Sequence, residues 1–566
     1  MSRAAALAAA LLWLPAAAAG QAPWPQIHGS VSDLRQASRF QEAAELLARW
    51  IEDHPRYEEA RLVLGEVLAE AGRPAEAVEV WTRMLDELSP DLERYRSVSA
   101  RMAGLGYVEE ALAVLQEGSG RVDGDDPFPW ERAELALRLA RFEEAVAAHL
   151  EFLRQHPWRL PLVENRIADM VRAGSGEGQA PGDPGLAYLE AAEESLARAE
   201  GEARVLAAQL AATAALETGR PGRGVRALGR ALPEEGALQA LYSFASRCEA
   251  RGDAAAAAEA YALIAAHGGE SAQRYRSLLK QAEMREVLGD GEGAVELYTR
   301  LAAGHPRRGE AAEALLRAAR LQAGGHGTAA EAMETLSTLE TRAVTPDLQR
   351  RWLGLLAECH ILLDDLPAAR RELRRLAALD GGLGEAAYHL GLVAFYQGDF
   401  EHAEALVDSM VTASPSDPLA NDALALLLLL EEFGHQPEAL AVLARARLRQ
   451  RQRRMEEAEA EWQWLLTEAP PALRQAVRLE RARELEDRDP VRALALYVEA
   501  GSAAEDRSRT AVIASMGRAR VLESLGEAGE ALRLYEQTLL ASPEDSRAPE
   551  IRRRIEELRR LLEPSG

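Results

Sequence analysis

Residues 58–91 read EEARLVLGEVLAEAGRPAEAVEVWTRMLDELSPD, and the spacing of a few side chains in this stretch decides how the whole chain is built. Gly72 stands where a first helix must end and the backbone reverse, a role suited to a residue that tolerates positive φ. Ala77 and Trp81 follow, four residues and one helical turn apart on the same face. A small residue beside a large one lets two antiparallel helices approach closely while the large side chain fills the adjoining gap.

The same phrase recurs. GRPAEA at 72–77 is echoed by GYVEEA at 106–111, GDFEHA at 398–403 and GEAGEA at 526–531. Ala43, Ala77, Ala111 and Ala145 are 34 residues apart three times in succession. Comparable anchors continue at Ala187, Gly224, Ala257, Ala294, Ala332, Ala369, Ala403, Ala439, Ala458, Ala493 and Ala531. With the Ala as position 20 of a 34-residue repeat, position 15 is Gly in Gly72, Gly106, Gly219, Gly252, Gly289, Gly398, Gly434 and Gly526. Position 24 is large and apolar, as in Leu115, Tyr261, Tyr298, Trp462, Tyr497 and Tyr535, and position 32 is Pro in Pro55, Pro157, Pro306, Pro415, Pro470 and Pro543. Each Pro closes a second helix, so each repeat is a helical hairpin.

These residues resemble the tetratricopeptide repeat, whose pattern has Gly or Ala at 8, Gly at 15, an aromatic near 17, Ala at 20, an aromatic at 24 and Pro at 32. Leu64, Gly65, Gly72, Ala77 and Trp81 match it in one repeat, and Gly391, Gly398, Phe400, Ala403 and Pro415 in another. The resemblance implies an all-α fold, a right-handed superhelical solenoid of antiparallel helical hairpins that bury one continuous core by stacking. The expected order is a signal peptide at 1–20, repeats over 24–173, a loop insertion at 174–183 (GSGEGQAPGD), repeats over 184–416, an irregular region at 417–470, repeats over 471–545 and a capping helix at 546–562. In that cap Ile551, Ile555, Leu558 and Leu562 form one apolar stripe. Gly222, Gly224, Gly229, Pro221 and Pro233 make 220–236 poor helix material and the expected hinge.

Composition agrees with packed helices. Of 566 residues, 48% are apolar but only 5% aromatic, the apolar share being carried by Ala and Leu. At ~150 residues per domain the length would suggest about four globular domains, but a repeat needs no such division. A net charge of −25, with Lys280 the only lysine, repels phosphate backbones and makes nucleic acid a poor partner. The first twenty residues carry Arg3, an apolar run from Ala4 to Leu14, Pro15 and an Ala17-x-Ala19 cleavage motif, the three zones of a secretory signal peptide. No cysteine stands near the cleavage point to accept a lipid, and no apolar run after it is long enough to span a bilayer. The expected location is the periplasm or the outside of the cell.

Between Ala403 and Ala493 the repeat loses phase, because Ala439 and Ala458 are only 19 apart and leave three helices where hairpins supply two or four. The first, ALALLLLLEEF from Ala423, is apolar on every side. RARLRQRQRR, from Arg445 to Arg454, then places six Arg in ten residues. Arg445, Arg449 and Arg453 on one helical face are candidate ligands for a carboxylate-rich partner or an anionic polysaccharide; the other reading is a solvated surface balanced by Glu456, Glu457, Glu459 and Glu461. In the resembled family, positions 2, 5, 9 and 12 of each first helix line a concave groove that holds a partner. Here they are mostly charged or small: Glu59, Leu62, Glu66 and Ala69 in one repeat, Glu93, Arg96, Ala100 and Ala103 in the next. One repeat differs, with Glu385, Tyr388, Leu392 and Phe395 at those positions and Tyr396 adjacent. Tyr388, Leu392, Phe395 and Tyr396 are therefore candidates to anchor an apolar partner side chain, or else pack within the repeat.

No Walker loop, His-Glu-x-x-His, G-x-S-x-G or Cys-x-x-Cys motif is present. His389 and His402 with Glu404 are a weak histidine grouping, and Cys248 and Cys359 read as small core residues. No catalytic residue, cofactor or metal is expected. The function so implied is a non-catalytic protein–protein interaction scaffold or adaptor of the bacterial cell envelope. The alternative is an accessory component of envelope polysaccharide export or peptidoglycan processing, whose proteins resemble this chain in carrying long helical superhelices. Lytic transglycosylases add a lysozyme-like domain, for which nothing after Ala531 is long enough.

Overall fold

The computed structural model describes residues 23–89, 91–121, 124–174, 183–269, 272–304, 309–339, 345–413, 415–502 and 509–562. The signal peptide at 1–20 and residues 175–182 of the loop insertion lie outside them. The fold is an all-α solenoid of helical hairpins, with thirty α-helices and no strand among the described residues. Two compact units part between Asp290 and Gly291.

Each hairpin closes as the repeat demands. Trp24–Gln36 pairs with Phe40–Asp53, Glu58–Glu70 with Pro74–Glu87, and Leu92–Gly104 with Val108–Gly120. Ala43, Ala77, Ala111, Ala145, Ala257, Ala294, Ala332, Ala369, Ala403, Ala493 and Ala531 are fully buried. The approach is very close at Gly65, where a Cβ would stand 2.2 Å from the indole of Trp81. That ring is fully buried, and its Nε1 donates to the Leu62 carbonyl at 3.1 Å. Position 24 often carries a polar tip that reaches back twelve residues to the end of the first helix. Tyr261 donates to Glu249 at 2.9 Å, Tyr535 to Glu523 at 2.9 Å, and the Trp462 Nε1 to the Gln450 Oε1 at 2.9 Å.

Gly224, the one anchor that is not Ala, is explained by the same contact: a Cβ there would meet the Phe244 ring at 2.5 Å and the Ala212 Cα at 3.1 Å. Residues 220–236 are accordingly not a helix-poor hinge. Pro221–Arg230 is a helix, begun by Pro at its first position and held by buried Val225 and Leu228. Ala187 is only half-buried; in its helix, Pro184–Arg198, Gly185 and Tyr188 make the contact instead. At the C-terminus, Ile551, Ile555 and Leu558 of Ala548–Leu562 are buried, whereas Leu562, expected on the same stripe, is 46% exposed.

The turns explain the loss of phase. Position 15 has positive φ at Gly72, Gly106, Gly219, Gly252, Gly289, Gly398 and Gly526, and also at Ser38, Ala140, Asp364 and Arg453. Gly434 departs from the expected reversal, with φ −54° and ψ −27°. Helix Pro437–Arg451 therefore does not fold back as the hairpin partner of Ala420–Phe433. It pairs with Met455–Thr467 and also lies against Leu383–Tyr396. Ala420–Phe433 is the odd helix, packed on Phe400–Ala413.

Candidate functional site

First-helix residues at equivalent positions stand side by side one repeat apart, and much of the charge on them is spent between neighbours. In the N-terminal unit Arg35 donates to Glu70 (2.9 Å), Arg101 to Glu66, Arg96 to Glu131 (2.7 Å) and Arg166 to Glu134 (2.6 Å). In the C-terminal unit Arg351 donates to both oxygens of Glu313 (2.8 and 2.9 Å). Such partly exposed pairs contribute little each but fix the register of neighbouring repeats. Opposite charges some 32 to 38 residues apart were the sequence signal for them.

Two cavities lie along these faces. In the N-terminal unit Arg96, Ala100 and Ala103, three of the expected groove residues, line a cavity of about 260 Å³ together with Trp130 and Glu134 of Pro129–Arg138. Trp130 is a groove residue that the sequence reading missed; it occupies position 5 of its repeat, counted back from Ala145. In the C-terminal unit a cavity of about 310 Å³ is lined by Arg317, Arg351, Gly354, Glu358, Glu385 and His389, from three successive first helices.

The aromatic candidates and the arginine candidates turn out to be neighbours. Phe395 is fully buried and Leu392 is 9% exposed, so neither can meet a partner; they pack in one core cluster with Val407 and Leu430. The Arg447 guanidinium lies over the Phe395 ring at 5.7 Å. Tyr396, half-buried, accepts a hydrogen bond from Arg451 Nη1 at 3.4 Å. Tyr388, also half-buried, lies tilted against its neighbour His389, with ring centres 5.2 Å apart. The apolar surface expected to hold a partner is thus largely covered by the chain's own helix Pro437–Arg451, which came into place because the turn at Gly434 did not reverse.

The arginines have the complementary fate. Arg445 pairs with Glu461 (2.8 Å), Arg447 with both oxygens of Glu480 (2.8 and 2.7 Å), and Arg449 with Asp364 (3.1 Å) and Glu457 (3.2 Å). Gln452 donates to the Ile361 carbonyl and to Asp364, both at 3.0 Å. Two hydrogen bonds and the neighbouring guanidinium charges of Arg449 and Arg454 prevail over partial burial and hold the Asp364 carboxyl below its usual range. Arg453 does not share a helical face with Arg445 and Arg449: the helix ends at Arg451, and Arg453 sits in the turn with φ +60°. Among the described residues its Nη2 donates to the Ala323 carbonyl alone, at 3.5 Å.

Burial, reinforced by the Arg451 charge, lowers the His389 pKa to about 4 and keeps its ring neutral. No group of three or more His, Cys, Asp or Glu able to hold a metal occurs among the described residues. Cys248 and Cys359 are buried free thiols, and burial pushes their pKa values up to about 11 and about 12, away from the nucleophilic thiolate. No described helix is long and apolar enough to cross a membrane.

The tetratricopeptide repeat family matches residues 34–102 and 363–418. Among solved structures, the chain is similar to the Cut9–Hcn1 hetero-tetramer of the APC/C, at 14% identity over 94% of this chain and 95% of that one, with a TM-score of 0.23. It is also similar to a tetratricopeptide repeat protein from Parabacteroides merdae, at 14% identity over 57% of this chain and 98% of that one, with a TM-score of 0.20. No curated protein matches.

Proposed function

We propose that this chain, a tetratricopeptide-repeat protein, is a non-catalytic scaffold of the bacterial cell envelope that holds partner polypeptides along its first-helix faces. The observation that carries the reading is the pair of cavities lined by successive first helices, at Arg96, Ala100 and Trp130 in one unit and at Arg317, Arg351 and Glu385 in the other. Each joins an apolar floor to charged walls, which suits a peptide side chain lying across two or three repeats. The envelope setting rests on the three zones of residues 1–20.

A photo-crosslinking residue at exposed Ala100 tests the scaffold reading, with exposed Glu79 on a second helix as the control. Crosslinks to the same partner from Ala100 and not from Glu79 are expected; equal labelling from both positions would sink the groove reading. After cell fractionation, N-terminal sequencing should find the protein in the periplasm starting within a residue or two of Gly20, and recovery only from the cytoplasm with an intact Met1 would remove the envelope setting. The polysaccharide alternative is not favoured, because Arg445 and Arg449 already hold carboxylates of their own chain.

A further inference from the structure

The turn after Arg451 puts an arginine where seven other repeats put a left-handed glycine. Arg453, at φ +60°, holds a conformation that a side chain strains, and such strain persists where the surroundings or a function require it. Its guanidinium lies against Gly325, makes one 3.5 Å hydrogen bond to the Ala323 carbonyl and has no ion pair among the described residues. Position 15 of the next repeat, five residues before Ala493, is Arg488, which is exposed and likewise has no carboxylate partner among the described residues.

Both arginines line a cavity of about 450 Å³ in the C-terminal unit. Its acidic walls are already neutralised, Glu480 by Arg447 and Glu484 by Arg481 (2.7 Å) and Gln450 (2.7 Å). Arg451, on the same wall, is held by Glu358. That leaves Arg453 and Arg488 as the lining cations without a carboxylate partner among the described residues, in a chain of net charge −25.

We propose that this cavity binds the carboxylates of an acidic peptide segment, with Arg453 and Arg488 as its ligands. The inference deepens the scaffold reading, on which it rests, by giving the partner's chemistry at one place. A short acidic segment fits better than a long polyanion, because the negative charge of the rest of the chain repels anything that extends beyond the local basic surface. Met455, 50% exposed, adds an apolar wall that a peptide side chain can cover.

The test is fluorescence anisotropy of a labelled Glu-rich peptide, and of its Gln counterpart, titrated with the full chain. Saturable binding of the Glu peptide alone is expected. Arg453→Gly restores the residue that suits the backbone, so it should unfold at the same or a higher temperature while binding about tenfold more weakly, the scale of one hydrogen-bonded charge contact. Arg488→Ala should weaken binding by a similar factor, and Arg83→Ala, on a helix of the other unit, should leave it unchanged. No saturable binding, undiminished binding by Arg453→Gly, or tighter binding of an oligouronate than of the peptide would each overturn the proposal. Crosslinks from Ala100 that persist while the Glu peptide fails to bind would remove this site and leave the scaffold reading standing.

Discussion

Arg451 and Glu358, 93 residues apart, form a two-bond ion pair, Nε to Oε1 at 2.9 Å and Nη2 to Oε2. The side chains are 26% and 28% exposed, so the pair is neither a surface contact nor a fully desolvated one. It clamps the end of Pro437–Arg451 onto the first-helix face of Pro346–Leu362, beside the bonds from Gln452 to Ile361 and Asp364.

Removing one partner should cost more than replacing both by apolar residues. Glu358→Ala leaves a half-covered guanidinium without its carboxylate, and a loss of about 1–3 kcal/mol is expected, between the exposed and buried limits. The double variant Glu358→Leu/Arg451→Met replaces both charges by apolar side chains of similar size and should cost less. Urea unfolding gives the totals, and faster hydrogen exchange confined to residues 437–454 and 346–365 would identify the clamp. Equal losses for the two variants would show that packing, not the charge pair, holds the helix there.

Gly65 and Trp81 form a close helix–helix contact that substitution tests directly. Gly65→Ala would drive a methyl group into an indole that is 0% exposed, an overpacking expected to cost about 1–3 kcal/mol. Trp81→Ala should cost about 3–5 kcal/mol by leaving a cavity. The double variant Gly65→Ala/Trp81→Ala should be more stable than the sum of the two single losses implies, measured as a coupling in a double-mutant cycle. Strict additivity would contradict the contact.

What could be read from residue spacing, and what could not, follows from how far each contact reaches. Ala77 beside Trp81 and Gly65 beneath them lie within one hairpin, and a contact repeated in every hairpin leaves a period in the sequence. Arg449 with Asp364 and Arg451 with Glu358 do not repeat, and they span 85 and 93 residues. They depend on one turn: Gly434 has the residue type of a reversal but not its positive φ. Spacing could thus show that phase is lost near 439–458 and that arginines crowd there, but not that Phe395 and Tyr396 would be covered by those same arginines.

Ala140 occupies the left-handed position 15 with φ +56° and carries a Cβ that seven sister turns lack. Left-handed backbone costs a non-glycine residue about 1–2 kcal/mol, and the greater freedom of glycine in the unfolded chain returns part of that. Ala140→Gly should therefore stabilise the chain by about 0.5–1 kcal/mol, and Gly72→Ala, at φ +73°, should destabilise it by a similar amount. Denaturant midpoints check both. Opposite signs for the two substitutions are required; a loss on Ala140→Gly would mean that its methyl group packs more than the backbone strains.

His149 makes the N-terminal unit acid-sensitive. The ring is fully buried, its Nδ1 lies 2.8 Å from the Tyr188 hydroxyl, and its Nε2 has no partner among the described residues. Burial, with a smaller contribution from the Arg166 charge, lowers its pKa to about 3. The unfolded chain takes up a proton near pH 6.5 that the native chain refuses, so stability from this group is complete above pH 6.5 and is lost as pH falls toward 3. The expected slope is about 1.4 kcal/mol per pH unit within that window. His149→Gln keeps a polar partner for Tyr188 without a titrating group. Urea unfolding at pH 7, 6 and 5 should show the native chain losing stability faster than the variant, before most carboxylates begin to titrate. Parallel pH profiles would place a charged, solvated imidazole at position 149 and contradict the buried ring.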